Sequence, residues 1–86
     1  MRLRFSELGI PVGAVLTFAK DSNVVSNVVA DGRVEFQGQT LSPSASALLA
    51  VRKMGYQWAA VSGSDYWEFE GETLTARRLR IEDEQG

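Results

Sequence analysis

The chain has 86 residues, nine basic and eleven acidic side chains, a formal net charge of −2, and neither cysteine nor histidine. One hydrophobic core fits that length and a second domain does not. Without those two residue types there are no disulfides, no usual zinc ligands and no Cys–His or Ser–His nucleophile pair, so we expect a binding protein with no cofactor rather than an enzyme.

Two further limits follow. The isoelectric point near 5.0 argues against DNA binding driven by a bulk positive field, because phosphate neutralisation dominates such affinity; any DNA contact must be local. No stretch approaches the ~18 consecutive apolar residues of a membrane span, and the N-terminus lacks the apolar core of a secretory signal, so the expectation is a soluble, cytoplasmic protein with no membrane contact.

In chain order, Phe5-Ser6-Glu7-Leu8 before Gly9 reads as one helical turn with Phe5 and Leu8 inward. Pro11 and Gly13 predict a turn over 10–13, with proline in its second position. Ala14 to Lys20 alternates as a half-buried strand, with Ala14, Leu16 and Phe18 on one side, and Asp21-Ser22-Asn23 is expected to turn the chain. Val24 to Ala30 is rich in β-branched residues and meets Asp31-Gly32, a strong two-residue hairpin signal, before Arg33-Val34-Glu35-Phe36. Gln37-Gly38 is a further turn into Gln39-Thr40-Leu41.

Ser42-Pro43 opens the one convincing helix, since serine caps well and proline is best tolerated at the first helical position. Ala45, Leu48, Leu49 and Arg52 form an i, i+3, i+4, i+7 row flanked by Ala47 and Val51, and Gly55 is a natural stop after Met54. Tyr56 and Trp58 follow in a loop, Ser62-Gly63-Ser64-Asp65 turns, and Tyr66-Trp67-Glu68-Phe69 reads as a strand with Trp67 and Phe69 inward. Glu68 and Glu70 are expected on one solvated strand face rather than as an acid–base pair. Thr75 is placed to cap a last helix over 76–82, which should be short or frayed because its arginines sit at the positive end of the macrodipole and its acids at the negative end. The expected fold is therefore α+β, a small curled antiparallel sheet of four to five strands with one main helix packed on one face. Residues 1–75 make the domain and 76–86 a short helix or acidic tail.

Glu35-Phe36-Gln37-Gly38-Gln39-Thr40-Leu41-Ser42 is echoed by Glu68-Phe69-Glu70-Gly71-Glu72-Thr73-Leu74-Thr75, 33 residues later. Two copies do not make a solenoid, and the bland reading is two uses of a hairpin-then-helix device.

Three segments in order, Leu8 to Phe18, Phe36 to Ala47 and Val61 to Gly71, together resemble the RAMA domain, the module associated with restriction enzymes and adenine methylases. The resemblance covers about residues 5–75. It implies DNA binding with sensing of base modification, and a larger restriction or methylase protein as partner. The family pattern has Asn-Gly just before its tryptophan strand where this chain has Ser62-Gly63, so the contact implied there passes to a shorter side chain without an amide.

Candidate nucleic-acid contacts follow from side-chain chemistry. Trp58, with Tyr56, offers an aromatic face for an unpaired or flipped base, though both rings also suit a satellite of the core. Ser42, Ser44 and Ser46 at the helix start could serve a phosphate, against the plainer reading of one cap and two solvated hydroxyls. Arg52 and Lys53 could reach the backbone or simply be solvated. The alternative function is a protein-interaction domain using a sheet edge or the Tyr56/Trp58 surface.

Overall fold

The computed structural model describes residues 4–85; Arg2 and Gly86 lie outside them. It is an α+β structure in which six antiparallel strands form one open sheet with two helices. The strands are β1 (Val15–Phe18), β2 (Asp21–Ala30), β3 (Arg33–Phe36), β4 (Gln39–Leu41), β5 (Trp67–Phe69) and β6 (Glu72–Thr73). Their order across the sheet is β4-β3-β2-β1-β5-β6. The sequence suggested four to five strands; the additional one is β6, two residues long and too short to carry an alternation signal.

The central β1–β2 hairpin turns at Ala19-Lys20, not at Asp21-Ser22-Asn23, which belong to β2. Asp21 there accepts from the Asn23 N–H and pairs with Phe18 across a register shift, so a turn-forming side chain sits inside the strand. The expected turn at 10–13 lies one residue later: Ala14 N–H donates to the Pro11 carbonyl, and Gly13 takes φ 95°. Proline thus occupies the first rather than the second turn position.

One sheet face is buried. Leu16 and Phe18 of β1, Ser26 and Val28 of β2, Val34 and Phe36 of β3, and Trp67 of β5 point into it, while Val15, Val25, Asn27 and Glu35 face outward and are exposed. Alternation of this kind is what an antiparallel sheet with one covered face requires. Trp67, fully buried, packs edge-on against Phe18 at 5.0 Å and Phe36 at 5.7 Å, joining both halves of the sheet.

Helix α1 (Pro43–Lys53) begins at an N-cap serine, as the sequence predicts: Ser42 Oγ accepts from Ala45 N–H at 3.1 Å. Its inward face is not the predicted one. Pro43, Ser46, Ala47, Ala50 and Val51 are buried, whereas Ala45 and Arg52 are exposed and Leu48 and Leu49 only half-buried. The reason is the small inward residues, which let α1 lie close to the sheet, with Ser46 taking the Trp67 indole: Nε1–H donates to Ser46 Oγ at 3.0 Å and to the Pro43 carbonyl at 3.2 Å.

Helix α2 (Leu74–Gln85) is longer and starts earlier than the 76–82 expected, and Thr73, not Thr75, caps it by accepting from Ala76 N–H. Ion pairs to the β5–β6 hairpin and along the helix offset the adverse dipole: Arg77 reaches Glu70 at 2.9 Å and Glu72 at 3.3 Å, and Arg80 reaches Glu72 at 2.6 Å and, one turn on in α2, Glu84 at 2.9 Å. Arg77 Nε also donates to the Leu8 carbonyl, fastening α2 to the 3-10 turn Phe5–Leu8. Glu70 lies in the β5–β6 turn with φ 54°, so it shares no strand face with Glu68.

The sequence echo is a structural one. Gln37-Gly38 and Glu70-Gly71 both take positive φ at both positions, 53° and 80° in one, 54° and 82° in the other. Each is the type I′ two-residue turn whose twist matches the flanking strands, and each hairpin is followed by a helix.

Candidate functional site

Helix α1 ends in a Schellman motif, the left-handed glycine closure in which two N–H groups return to the last turn. Gly55 at φ 100° donates to the Arg52 carbonyl and Tyr56 N–H donates to the Val51 carbonyl, each at 3.0 Å. Tyr56 is thereby set just past the helix end. Two residues on, the Trp58 carbonyl accepts from Arg52 Nε and Nη2 at 3.3 Å, so the guanidinium clamps the aromatic loop against the helix.

Tyr56 and Trp58 meet two residues that sequence reasoning did not include. Tyr66, next to the start of β5, stacks on Phe18 of the core with centroids 5.9 Å apart and meets Trp58 at 5.8 Å. Trp58 in turn lies 5.0 Å from Tyr56. Ala19 N–H donates to the Tyr66 carbonyl at 2.7 Å, which brings the β1–β2 turn alongside and sets Lys20 over the rings. Its Nζ lies 4.9 Å from the Tyr56 centroid, 5.5 Å from Trp58 and 6.0 Å from Tyr66. These are cation–π distances. Tyr66 lies just before β5 and packs at the edge of the core, and reading it as a strand residue gave no signal of its place in the cluster. Lys20 carried no signal, because reading it as the end of a strand hid its place at the tip of a turn.

The start of α1 is built differently from the expected phosphate site. The loop segment Gly63–Asp65 docks on it so closely that a Cβ at Gly63 would overlap the Pro43 carbonyl and the Ser44 amide nitrogen. Ser44 Oγ accepts from Gly63 N–H at 3.0 Å, and Ser46, fully buried, donates to the Pro43 carbonyl at 2.8 Å. Ser62 Oγ lies 3.1 Å from Ser64 Oγ. The hydroxyls expected to face solvent or phosphate instead tie the helix start to the following loop and to Trp67.

The candidate residues therefore fall into two groups at opposite ends of an 11-residue helix, about 16 Å apart at 1.5 Å per residue. Ser42, Ser44, Ser62 and Gly63 form one. Arg52, Lys53, Tyr56 and Trp58 form the other, and Lys20 and Tyr66 join it.

Charge is sorted between regions of the molecule. Arg77, Arg78 and Arg80 each lie within salt-bridge reach of a glutamate. Among the described residues Arg4, Lys20, Arg33, Arg52 and Lys53 form no salt bridge, and three of them, Lys20, Arg52 and Lys53, come from the β1–β2 turn and the end of α1, which meet at the aromatic cluster. Arg52, Gly55, Tyr56 and Gln57 line a shallow open depression at its border. Among the described residues no three His, Cys, Asp or Glu side chains converge as metal ligands, and no helix is long and apolar enough to cross a membrane.

Comparison with known proteins returns no matching family model, no matching curated protein and no matching solved structure.

Proposed function

We propose that the chain is a non-catalytic DNA-binding accessory module whose contact surface is the aromatic and basic cluster at the end of α1. The observation that carries this reading is the sorting of charge. A domain with an acidic total keeps its C-terminal arginines in ion pairs, while Lys20, over Tyr56 and Trp58, Arg52, on the Trp58 carbonyl, and Lys53, the next residue of α1, carry no ion pair. Cations next to stackable rings are the combination that holds a phosphate backbone and an unpaired or flipped base. The resemblance to the RAMA domain supports the same reading and extends it to sensing of base modification within a restriction or methylase protein.

The test is titration with duplex oligonucleotides, plain and adenine-methylated, over a range of salt. Three cations bound to phosphates imply a slope of log K against log salt no steeper than about −3, at roughly 0.9 per contact. Lys53→Gln should flatten it by about one. Failure of both DNAs to bind at low salt, or a slope that Lys53→Gln leaves unchanged, overturns the reading.

A second reading, a protein partner, is favoured by one observation. The open sheet face exposes Val15 at 52% and Val25 at 44% beside each other's strands. Sheet-edge pairing fits less well, since β4 and β6 are three and two residues long and offer little to template a partner strand.

A further inference from the structure

We propose that Tyr56, Trp58 and Tyr66 form an aromatic cage for a methylated ammonium group, the trimethylated lysine side chain of a partner segment, and that Lys20 is its resident occupant, displaced when that ligand binds. This goes beyond the nucleic-acid reading and does not depend on it. The three rings come from two separate parts of the chain and converge on one point, the Lys20 Nζ, at 4.9 to 6.0 Å. None of them is held there by Lys20. The Tyr56 backbone is fixed by the helix closure and that of Trp58 by the Arg52 clamp on its carbonyl, their rings pack on each other and Trp58 on Tyr66, and Tyr66 is set by stacking on Phe18 and by the Ala19 N–H bond to its carbonyl. The cage therefore survives the departure of its occupant.

The occupant is poorly matched to the site. A primary ammonium carries three N–H donors and is strongly hydrated, yet Lys20 donates no hydrogen bond and forms no salt bridge among the described residues. Ring faces offer negative potential without acceptors. A trimethylammonium needs no acceptor and gives up less hydration while keeping the full charge, so the same rings favour it over lysine. That a lysine side chain already lies over the rings argues for an alkylammonium of that shape entering from the surface. Lys20 itself is exposed at a two-residue turn and free to swing away.

The experiment is an NMR titration of the full chain with a short trimethyllysine peptide, capped at both ends. Its controls are the same peptide with unmodified lysine, with a neutral tert-butyl isostere, and free choline. We expect the trimethyllysine peptide to shift the Trp58 indole N–H and to move the ring-shifted Lys20 ε-methylene protons toward free-lysine positions. Unmodified lysine and the neutral isostere should bind about tenfold more weakly or worse. Lys20→Ala should tighten the methylated peptide about three- to tenfold by removing the competitor. Tyr56→Ala should abolish binding, and because Tyr56 is exposed the variant keeps its fold. Equal binding of the neutral isostere reduces the site to an apolar dent and overturns the proposal. So does an affinity that Lys20→Ala leaves unchanged, and choline binding as tightly as the peptide overturns the assignment to lysine. None of these outcomes bears on whether oligonucleotides bind.

Discussion

Gly38 and Gly63 are both glycines for structural reasons, but different ones. Gly38 holds φ 80° with open space around it, so Gly38→Ala costs only the left-handed backbone, about 1–2 kcal/mol. Gly63 has no room for a side chain, because the start of α1 occupies it. Gly63→Ala must pry the loop from the helix and break the Ser44 hydroxyl's bond from its N–H, which we expect to cost more than Gly38→Ala, about 3 kcal/mol or above. Urea unfolding of the two variants checks the order; a smaller loss at Gly63 would mean the docking of that loop is dispensable. Ser26 is the converse case, a buried hydroxyl on the inner face of β2 with no hydrogen-bond partner among the described residues. Ser26→Ala removes an unpaired polar group without opening a large void, and should raise stability by about 1 kcal/mol in the same assay.

Among the elements, α1 and the Asp31-Gly32 hairpin were legible because each is announced by local chemistry, a serine–proline start with a glycine stop and a turn dipeptide between β-branched runs. What was not legible depended on distant neighbours. The buried face of α1 is set by Ser46 meeting Trp67, 21 residues away, and no periodicity count rewards a buried serine. The length of α2 is likewise a tertiary effect, and it carries a pH signature. Hydrogen bonding from Arg80, with the nearby Arg77 charge, holds the Glu72 carboxyl below the ordinary glutamate range, and Glu72 in turn pushes Arg80 up. A carboxyl depressed in the folded state binds fewer protons there than in the unfolded chain, so stability rises with pH through its window. The contribution is full above the unfolded glutamate value and is lost as pH falls below ~4. Protection factors of the α2 amides, with the intrinsic pH dependence of exchange divided out, should therefore fall on acidification in the wild type, and Glu72→Gln should remove most of that dependence. An unchanged profile in the variant would show that other carboxylates carry it.

At the scale of the whole molecule, one side chain joins parts that are far apart in sequence. Trp67 touches Phe18 from the central hairpin and Phe36 from the first hairpin-helix unit, and its indole N–H is the hydrogen bond between β5 and the start of α1. The sequence marked it as an inward residue, and its hydrogen-bonding role lay beyond reach because Ser46 read as solvated. Truncation of a buried tryptophan costs about 3–5 kcal/mol in transfer and cavity terms. Folding stability of about 0.05–0.15 kcal/mol per residue puts a chain of 86 residues in a range where that loss consumes much or all of it. Trp67→Ala also removes the N–H that ties β5 to Ser46 and the Pro43 carbonyl and leaves Phe18 and Phe36 without their aromatic partner, so we expect no cooperative thermal transition and loss of near-ultraviolet dichroism. Trp58 is the control. It is half-buried at the rim, its backbone carbonyl held by Arg52 and its ring packed on Tyr56 and Tyr66 at the edge of the core, and Trp58→Ala should keep a cooperative transition at lower temperature while removing the fluorescence of the aromatic cluster. If Trp67→Ala folds and Trp58→Ala does not, the core has its centre at the loop after α1 and not at β5, and the aromatic cluster is structural rather than a binding surface.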